Sequence, residues 1–295
     1  MDYAWLRKIR KLVIISMFAD DYLMDKFVLK GGSAIDLAYK IDARASVDVD
    51  LSLESDFSVE EIDIVKKKIF ESLSAIFAEE GFVVFDFKFT NRPSKPRKDR
   101  PPFWGGYAVE FKILPEREKH LLSKNLGKAR VISEIIGPEN VKKFIVEISK
   151  YEYCELKEER DMEGYTIYVY TPKLLVMEKL RAICQQMKEY KYNGGKARPP
   201  RPKDLYDIYV LITKLQVTIS KDDLELLERV FTMKEVPVEL LKLLPKYRDN
   251  YADFSSVQDT VLNAANLLSP SDYFEFVLGL INEMFQDTHA QKGLG

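Results

Sequence analysis

Apolar residues recur at helical spacing between residues 3 and 23, where Trp5, Ile9, Leu12, Val13, Met17 and Phe18 share one side; this predicts an amphipathic helix. A short apolar run, Phe27-Val28-Leu29, then predicts a strand. After an intervening helical stretch the pattern becomes strict alternation in Val47-Asp48-Val49-Asp50-Leu51. Strand side chains alternate faces, so Val47, Val49 and Leu51 turn to a core and Asp48 and Asp50 emerge together on the other side. Ser58-Val59-Glu60-Glu61 is a capping box ahead of a helix carrying Ile62, Val65, Ile69, Leu73 and Ile76, which Gly81 ends. Residues 82–90 and 106–114 are rich in strand formers and predict a long hairpin. A helix is expected over 120–136, closed by Gly137-Pro138, and a strand over 144–149 with Glu147 opposite Phe144, Val146 and Ile148.

From Thr171-Pro172 the period is helical. Leu174, Leu175, Met177, Leu180 and Ile183 line one side of a helix, and a second helix begins at Lys203-Asp204-Leu205-Tyr206-Asp207, with the two aspartates on one face. Ser220 starts a further helix and Pro237 sits early in another. Apolar positions at Leu262, Leu267, Phe274, Val277 and Ile281 extend the bundle, with a frayed tail after Gln286.

The alternating segment carries the first candidate chemistry. Two carboxylates held side by side raise each other's pKa unless a cation neutralises them. A divalent metal is the economical neutraliser, because Mg²⁺ prefers carboxylate oxygens and completes its shell with substrate phosphates. Gly31 and Gly32 permit a tight turn and close approach to a ligand, and Ser33 is positioned to cap the following helix, whose free N–H groups suit phosphate. Each feature alone has a plainer reading: Gly-Gly-Ser as an ordinary turn, Asp-x-Asp as a solvated strand face, Asp204 and Asp207 as first-turn acids complementing a helix dipole.

Composition limits the rest. A net charge of −2 gives no global attraction to nucleic acid or membrane, so a polyanion must be held by local basic patches. Two such patches are readable. Residues 91–106 bring Arg92, Lys95, Arg97, Lys98 and Arg100 to Phe103 and Trp104, and residues 191–202 form a basic, glycine- and proline-bearing stretch expected to be a mobile loop. Either a solvated loop or a nucleic-acid contact with Trp104 as stacking surface fits the first. Two cysteines, Cys154 and Cys184, are too few for a disulfide framework, and two distant histidines make a zinc cluster or a His-based triad an unlikely basis for function. No leader-like start and no apolar run of bilayer length is present, which sets a cytoplasmic expectation with no membrane partner.

Taken together, the glycine turn, the helix, Arg44, Ser46 and the paired aspartates resemble the nucleotidyltransferase signature, in which a Gly-Ser turn precedes Asp-x-Asp by one helix. LKGGSAIDLAYK followed by RASVDVDLSL is similar, more closely, to the AbiEii/MenT group of nucleotidyltransferase toxins, within the DNA polymerase β-like superfamily. TPKLLVMEKLRAI and the Lys203–Asp207 stretch resemble the family's second and third landmarks, with lysine at 203 where the third has arginine. The resemblance implies an α/β (α+β) mixed-sheet core flanked by helices over 1–172 and a helical C-terminal domain over 173–295 that contributes Lys179 and Asp204. It implies Mg²⁺ or Mn²⁺ on Asp48 and Asp50, with a third carboxylate from a neighbouring strand. Glu147 is the choice for that third ligand and Glu110 its rival. Gly31, Gly32, Ser33, Arg44, Ser46, Lys179 and Asp207 would bind the nucleoside triphosphate, and Asp204 would position nucleotide or help activate the acceptor hydroxyl. The implied acceptor is the 3′ end of tRNA and the implied partner a cognate antitoxin, with no DNA expected. Transfer to a small molecule or a protein, or an inactive nucleotide- or RNA-binding protein, are the alternatives.

Overall fold

The computed structural model describes residues 3–42, 44, 46, 48–95, 101–137, 140–261 and 267–285. The chain divides into two compact units, Met1–Tyr170 and Thr171–Gly295.

The first unit is built on a seven-stranded mixed sheet in the order β3-β4-β5-β2-β1-β7-β6. Its strands are β1 (Val28–Lys30), β2 (Val49–Ser52), β3 (Phe82–Arg92), β4 (Gly106–Pro115), β5 (Phe144–Ser149), β6 (Lys157–Met162) and β7 (Tyr165–Tyr170). The central pair β1/β2 is antiparallel, with Lys30 opposite Asp50, and each member has a parallel partner on its outer side, β7 for β1 and β5 for β2. Two antiparallel hairpins, β3/β4 and β6/β7, complete the sheet. Val28, Leu29, Val49 and Leu51 are buried, as a central strand pair requires.

Helices α1 (Tyr3–Phe18) and α2 (Val59–Glu79) pack on one another; α1 also meets β2 and β7, and α2 meets β3. The single helix expected to run to residue 23 stops at Phe18. Asp20 accepts a hydrogen bond from the Leu23 N–H at 3.1 Å and so caps a new one-turn helix, Asp21–Met24. The capping box at Ser58 and Glu61 is formed in both directions. Over 120–136 the structure has two short helices, Leu121–Lys124 and Leu126–Ile132. Asn125 leaves helical geometry between them, and its side chain takes the Lys128 N–H at 2.9 Å, so a cap divides what periodicity reads as one element. The hairpin β3/β4 carries a bulge between Phe85 and Lys88, where Asp86 adopts φ 51° and Arg130 grips its carboxylate at 2.7 and 2.8 Å.

The second unit is helical: α3 (Pro172–Cys184), α4 (Pro202–Leu215), α5 (Leu224–Thr232), a 3₁₀ run Val238–Tyr251 and α6 (Pro270–Phe285). The Thr171 hydroxyl caps α3, with Pro172 in its first turn. α3 is buried almost all round, including Lys179 and Arg181. The 191–202 stretch, expected to move freely, is instead stitched down: Asn193 Nδ2 donates to the carbonyls of Gln185 and Met187 at 2.8 Å, and the Arg198 N–H donates to Gln186 at 2.8 Å. Phe274, Val277 and Ile281 are buried on α6, and Leu267 is partly exposed; Leu262 and the tail after residue 285 lie outside the described residues. No described helix is long and apolar enough to cross a membrane.

Phe77 on α2 is fully buried, edge-on to Phe111 of β4 at 5.7 Å. Phe77→Ala is expected to cost about 3–5 kcal/mol by lost burial plus a cavity. Denaturant unfolding of the first unit, followed by a fluorescent probe there, should show it; a loss below about 1 kcal/mol would mean that α2 is not anchored through this ring.

Candidate functional site

The β1 strand delivers its last residue, Lys30, directly opposite Asp50, and the chain turns at once into a helical segment, Gly31–Ser33 followed by a widened π-helical stretch, Ala34–Ala38. Gly31 sits at φ +69°, and a methyl group on its Cα would lie 2.4 Å from Asp50 Oδ2. The absence of a side chain is therefore what lets the Asp50 carboxylate rest against the turn. At Gly32 the same construction meets Ser46 Oγ at 2.9 Å and Arg44 Nη2 at 3.1 Å. Gly31, Gly32, Arg44, Ser46 and Asp50 thus occupy one small region. Ser33 is fully buried and, rather than capping the helix, donates its hydroxyl to the Asp48 carbonyl at 2.6 Å; Lys30 occupies the cap position without a side-chain capping bond, its ammonium donating instead to Glu152 at 3.3 Å. Ser46 also reaches the Asp48 carbonyl, at 3.4 Å. Asp48 is exposed and Asp50 partly so; Val47, expected inward, lies outside the described residues.

Register separates the two candidates for a third carboxylate. Glu147 of β5 is directly opposite Asp50 in the parallel pairing, hence on the same face. Glu110 belongs to β4, one strand further, where it pairs with Lys143 at 3.1 Å. Glu147 is itself engaged: Arg92, at the end of β3, donates to its Oε1 at 2.5 Å. Of the basic residues expected in the loop after β3, Arg97, Lys98 and Arg100 fall outside the described residues. Among the described residues no group of three or more His, Cys, Asp or Glu side chains is gathered as a metal cage.

Sequence reading passed over the layer beneath the glycine turn. Asp36, 5% exposed, receives Arg10 Nη2 at 2.6 Å and Arg7 Nη2 at 3.1 Å, both arginines coming from α1. Burial pushes the Arg10 guanidinium below its ordinary value; Asp36 opposes that, while Arg7 and Arg44 add to it by repulsion. A guanidinium on an otherwise apolar helix face, seven residues into the helix that starts at Tyr3, is the only signal the sequence offers for it.

In the second unit Lys179 is 3% exposed, and its Nζ lies 3.0 Å from Asp204 Oδ1 and 2.7 Å from Asp207 Oδ2. Both aspartates are buried. Arg201 Nε also pairs with Asp204 Oδ2. Arg201 lies two residues before Lys203, in RPPRPKD, so a guanidinium reaches Asp204 although residue 203 is lysine. Burial works to raise the Asp204 carboxyl, but Lys179 and then Arg201 outweigh it and hold it well below the usual carboxylate range.

The family model described as nucleotidyl transferase AbiEii toxin, type IV toxin–antitoxin system, matches residues 14–263. The chain belongs to the AbiEii toxin family. This AbiEii chain is accordingly a nucleotidyltransferase of a toxin system. Among solved structures it is similar to MenT4, a nucleotidyltransferase toxin from Mycobacterium tuberculosis, at 15% identity and a TM-score of 0.51, covering 97% of this chain and 85% of that one. It is also similar to JHP933 from Helicobacter pylori, at 15% identity and a TM-score of 0.49, covering 96% and 91%. At such identity the MenT4 likeness speaks to fold: both share the mixed sheet flanked by helices. No curated protein matches the sequence.

Two outcomes follow for the AbiEii chain. Gly31→Ala is expected to strain the backbone by about 1–2 kcal/mol and to push Asp50 off the turn, lowering transfer about 10²-fold with the fold intact by circular dichroism. A parental rate would show that Asp50 does not need the turn. For Asp204, whose folded value is depressed, the unfolded chain takes up its proton first as pH falls; the stability it confers is complete above about pH 4 and is lost below that. Asp204→Asn should therefore show a shallower fall in stability between about pH 4 and pH 2 than the parent, measured by chemical denaturation. Parallel curves would refute the assignment.

Proposed function

We propose that this nucleotidyltransferase moves a nucleoside monophosphate from an NTP to the 3′-terminal hydroxyl of tRNA in the cytoplasm, with a cognate antitoxin as its neutraliser and Mg²⁺ or Mn²⁺ as its metal. The observation that carries the reading is the close packing of the Asp50 carboxylate against Gly31, beside an Asp48 whose carbonyl is pinned by Ser33. An all-oxygen pair of carboxylates suits Mg²⁺, which takes one or two protein carboxylates and leaves the rest of its shell to phosphate and water. Asp48 and Asp50 would hold it, with Glu147 joining if Arg92 yields it. When bound, such a cation neutralises phosphate charge and lowers the cost of charge on the attacking and departing oxygens.

The chain's own residues account for the remainder. The Gly31-Gly32 turn offers backbone N–H groups at the start of a helical segment, and Arg44 stands over Gly32 with a guanidinium suited to bidentate phosphate binding. Ser33 serves by holding Asp48 in place. The acceptor hydroxyl attacks the α-phosphorus and gives its proton to solvent, the bond from the α-phosphorus to the α–β bridging oxygen breaks, and pyrophosphate leaves with the electron pair. Lys179 is assigned to the triphosphate, with Asp207 as its companion, and Asp204 to positioning nucleotide or acceptor. The ion group that holds these three supports a shared role, since exchange of a carboxylate for a phosphate keeps the ammonium neutralised.

The test incubates the protein with each α-labelled NTP, total RNA and Mg²⁺, beside Asp48→Asn and Lys179→Met. Label should enter a tRNA-sized band and fall at least about 10²-fold in Asp48→Asn. Label in protein or small molecules, with none in RNA, would replace the tRNA acceptor; equal labelling by Asp48→Asn would remove the carboxylate site.

A further inference from the structure

The layer under the glycine turn has a shape that stability alone does not explain. Arg10 is 3% exposed on α1, and its guanidinium touches one short segment at two points, Asp36 Oδ2 at 2.6 Å and Ser33 Oγ at 3.5 Å. Residues 33 and 36 lie one turn apart, so a planar fork that meets both fixes the rotation of the segment as well as its position. Arg10 Nε is buried with no hydrogen-bond partner. An ion pair this deep recovers its desolvation cost poorly, and an apolar pair of similar volume would often hold two elements together as well. The segment it grips is the one whose Ser33 hydroxyl donates to the Asp48 carbonyl at 2.6 Å. A hydroxyl has one proton to give. With that proton committed to Asp48, Ser33 Oγ can face Arg10 only as an acceptor, so the guanidinium favours the rotamer that bonds Asp48. Arg7 braces the same node from the solvent side, bridging Asp36 at 3.1 Å and Asp42 at 2.8 Å. Both arginines precede residue 14, where the family match begins.

We infer that Arg10 is a positioning residue for nucleotidyl transfer: through Asp36 and Ser33 it sets the place of Asp48, without touching substrate. The inference rests on the reading of Asp48 as a site carboxylate for its kinetic consequence, but its geometric content, that Arg10 restrains the Asp48 segment through Ser33, stands apart from that reading.

The experiment compares Arg10→Lys, Arg10→Met, Ser33→Ala and the Arg10→Met/Ser33→Ala double variant with the parent. Hydrogen–deuterium exchange over residues 44–52 reads the geometry with no reaction required. Exchange there should quicken in Arg10→Met and Ser33→Ala, and in the double variant no more than in the worse single one. Transfer kinetics read the consequence. kcat should fall about 10²-fold for a misplaced group, while KM for the NTP stays within about threefold. Arg10→Lys separates positioning from mere charge pairing. Lysine can keep Asp36 but not both contacts, so that variant should hold the parental melting temperature yet recover little of kcat. Unchanged exchange over 44–52 in Arg10→Met overturns the inference, as does full rescue of kcat by lysine or strictly additive effects in the double variant. If the parent transfers no nucleotide at all, the proposed function fails while the exchange result still decides the restraint.

Discussion

The register of two short strands governs the first unit. Placing Lys30 opposite Asp50 puts the turn that follows Lys30 beside the carboxylate that ends the acidic stretch, and only a residue without a side chain can stand at that junction. A shift of one position would turn Asp50 into the sheet's other face and bring Leu51 or Val49 to the turn. The strands on either side hold the register by parallel pairing: β5 aligns Val49 to Ser52 with Val146 to Ser149, and β7 aligns Val169 with Leu29. Buried Val49, Leu51, Val146 and Ile148 then make any slip costly, so the hydrophobic pattern fixes the relation between glycine and aspartate.

The polar groups around Asp36 and around Lys179 solve different electrostatic problems. Beneath the glycine turn Arg7, Arg10 and Arg44 gather around Asp36 and Asp42, while Asp48 and Asp50 lie beside the same turn, so opposite charges interleave there. Around Lys179 two buried aspartates and Arg201 leave a balanced set in the core of a helical unit. The first lies at the end of the central strand pair, beside the exposed Asp48; the second keeps a buried cation from becoming a liability.

Much of this was legible in the chain. Alternation at 47–51, the capping box at Ser58, the hairpin 82–114 and Thr171-Pro172 are local signals, and each produced the element it announces. The stretch that joins Gly31, Gly32, Arg44, Ser46 and Asp50 is contiguous, which is why its residues could be named together. What sequence could not show depends on partners distant in the chain: Arg10 under Asp36, Arg92 on Glu147, and the register that sets Glu147, rather than Glu110, opposite Asp50. Arg201 was missed for a narrower reason. The landmark pattern places a guanidinium next to Asp204, whereas i, i+3 spacing brings one from three residues away. The break at Asn125 shows the converse: a polar side chain competing for a backbone N–H overrode an unbroken apolar period.

The order of strands in the sheet carries a consequence for how the protein is made. β1 and β2 leave the ribosome early and can pair as neighbours, but the strands that flank them on both sides, β5 and β7, are synthesised much later, after the whole β3/β4 hairpin. The central pair is only a few residues long and cannot stand alone in water. Until residue 149 has emerged the glycine turn and its aspartates have neither flanking strand, and until residue 170 they have only one. The sheet of the first unit therefore closes late in its own synthesis, when β7 pairs with β1.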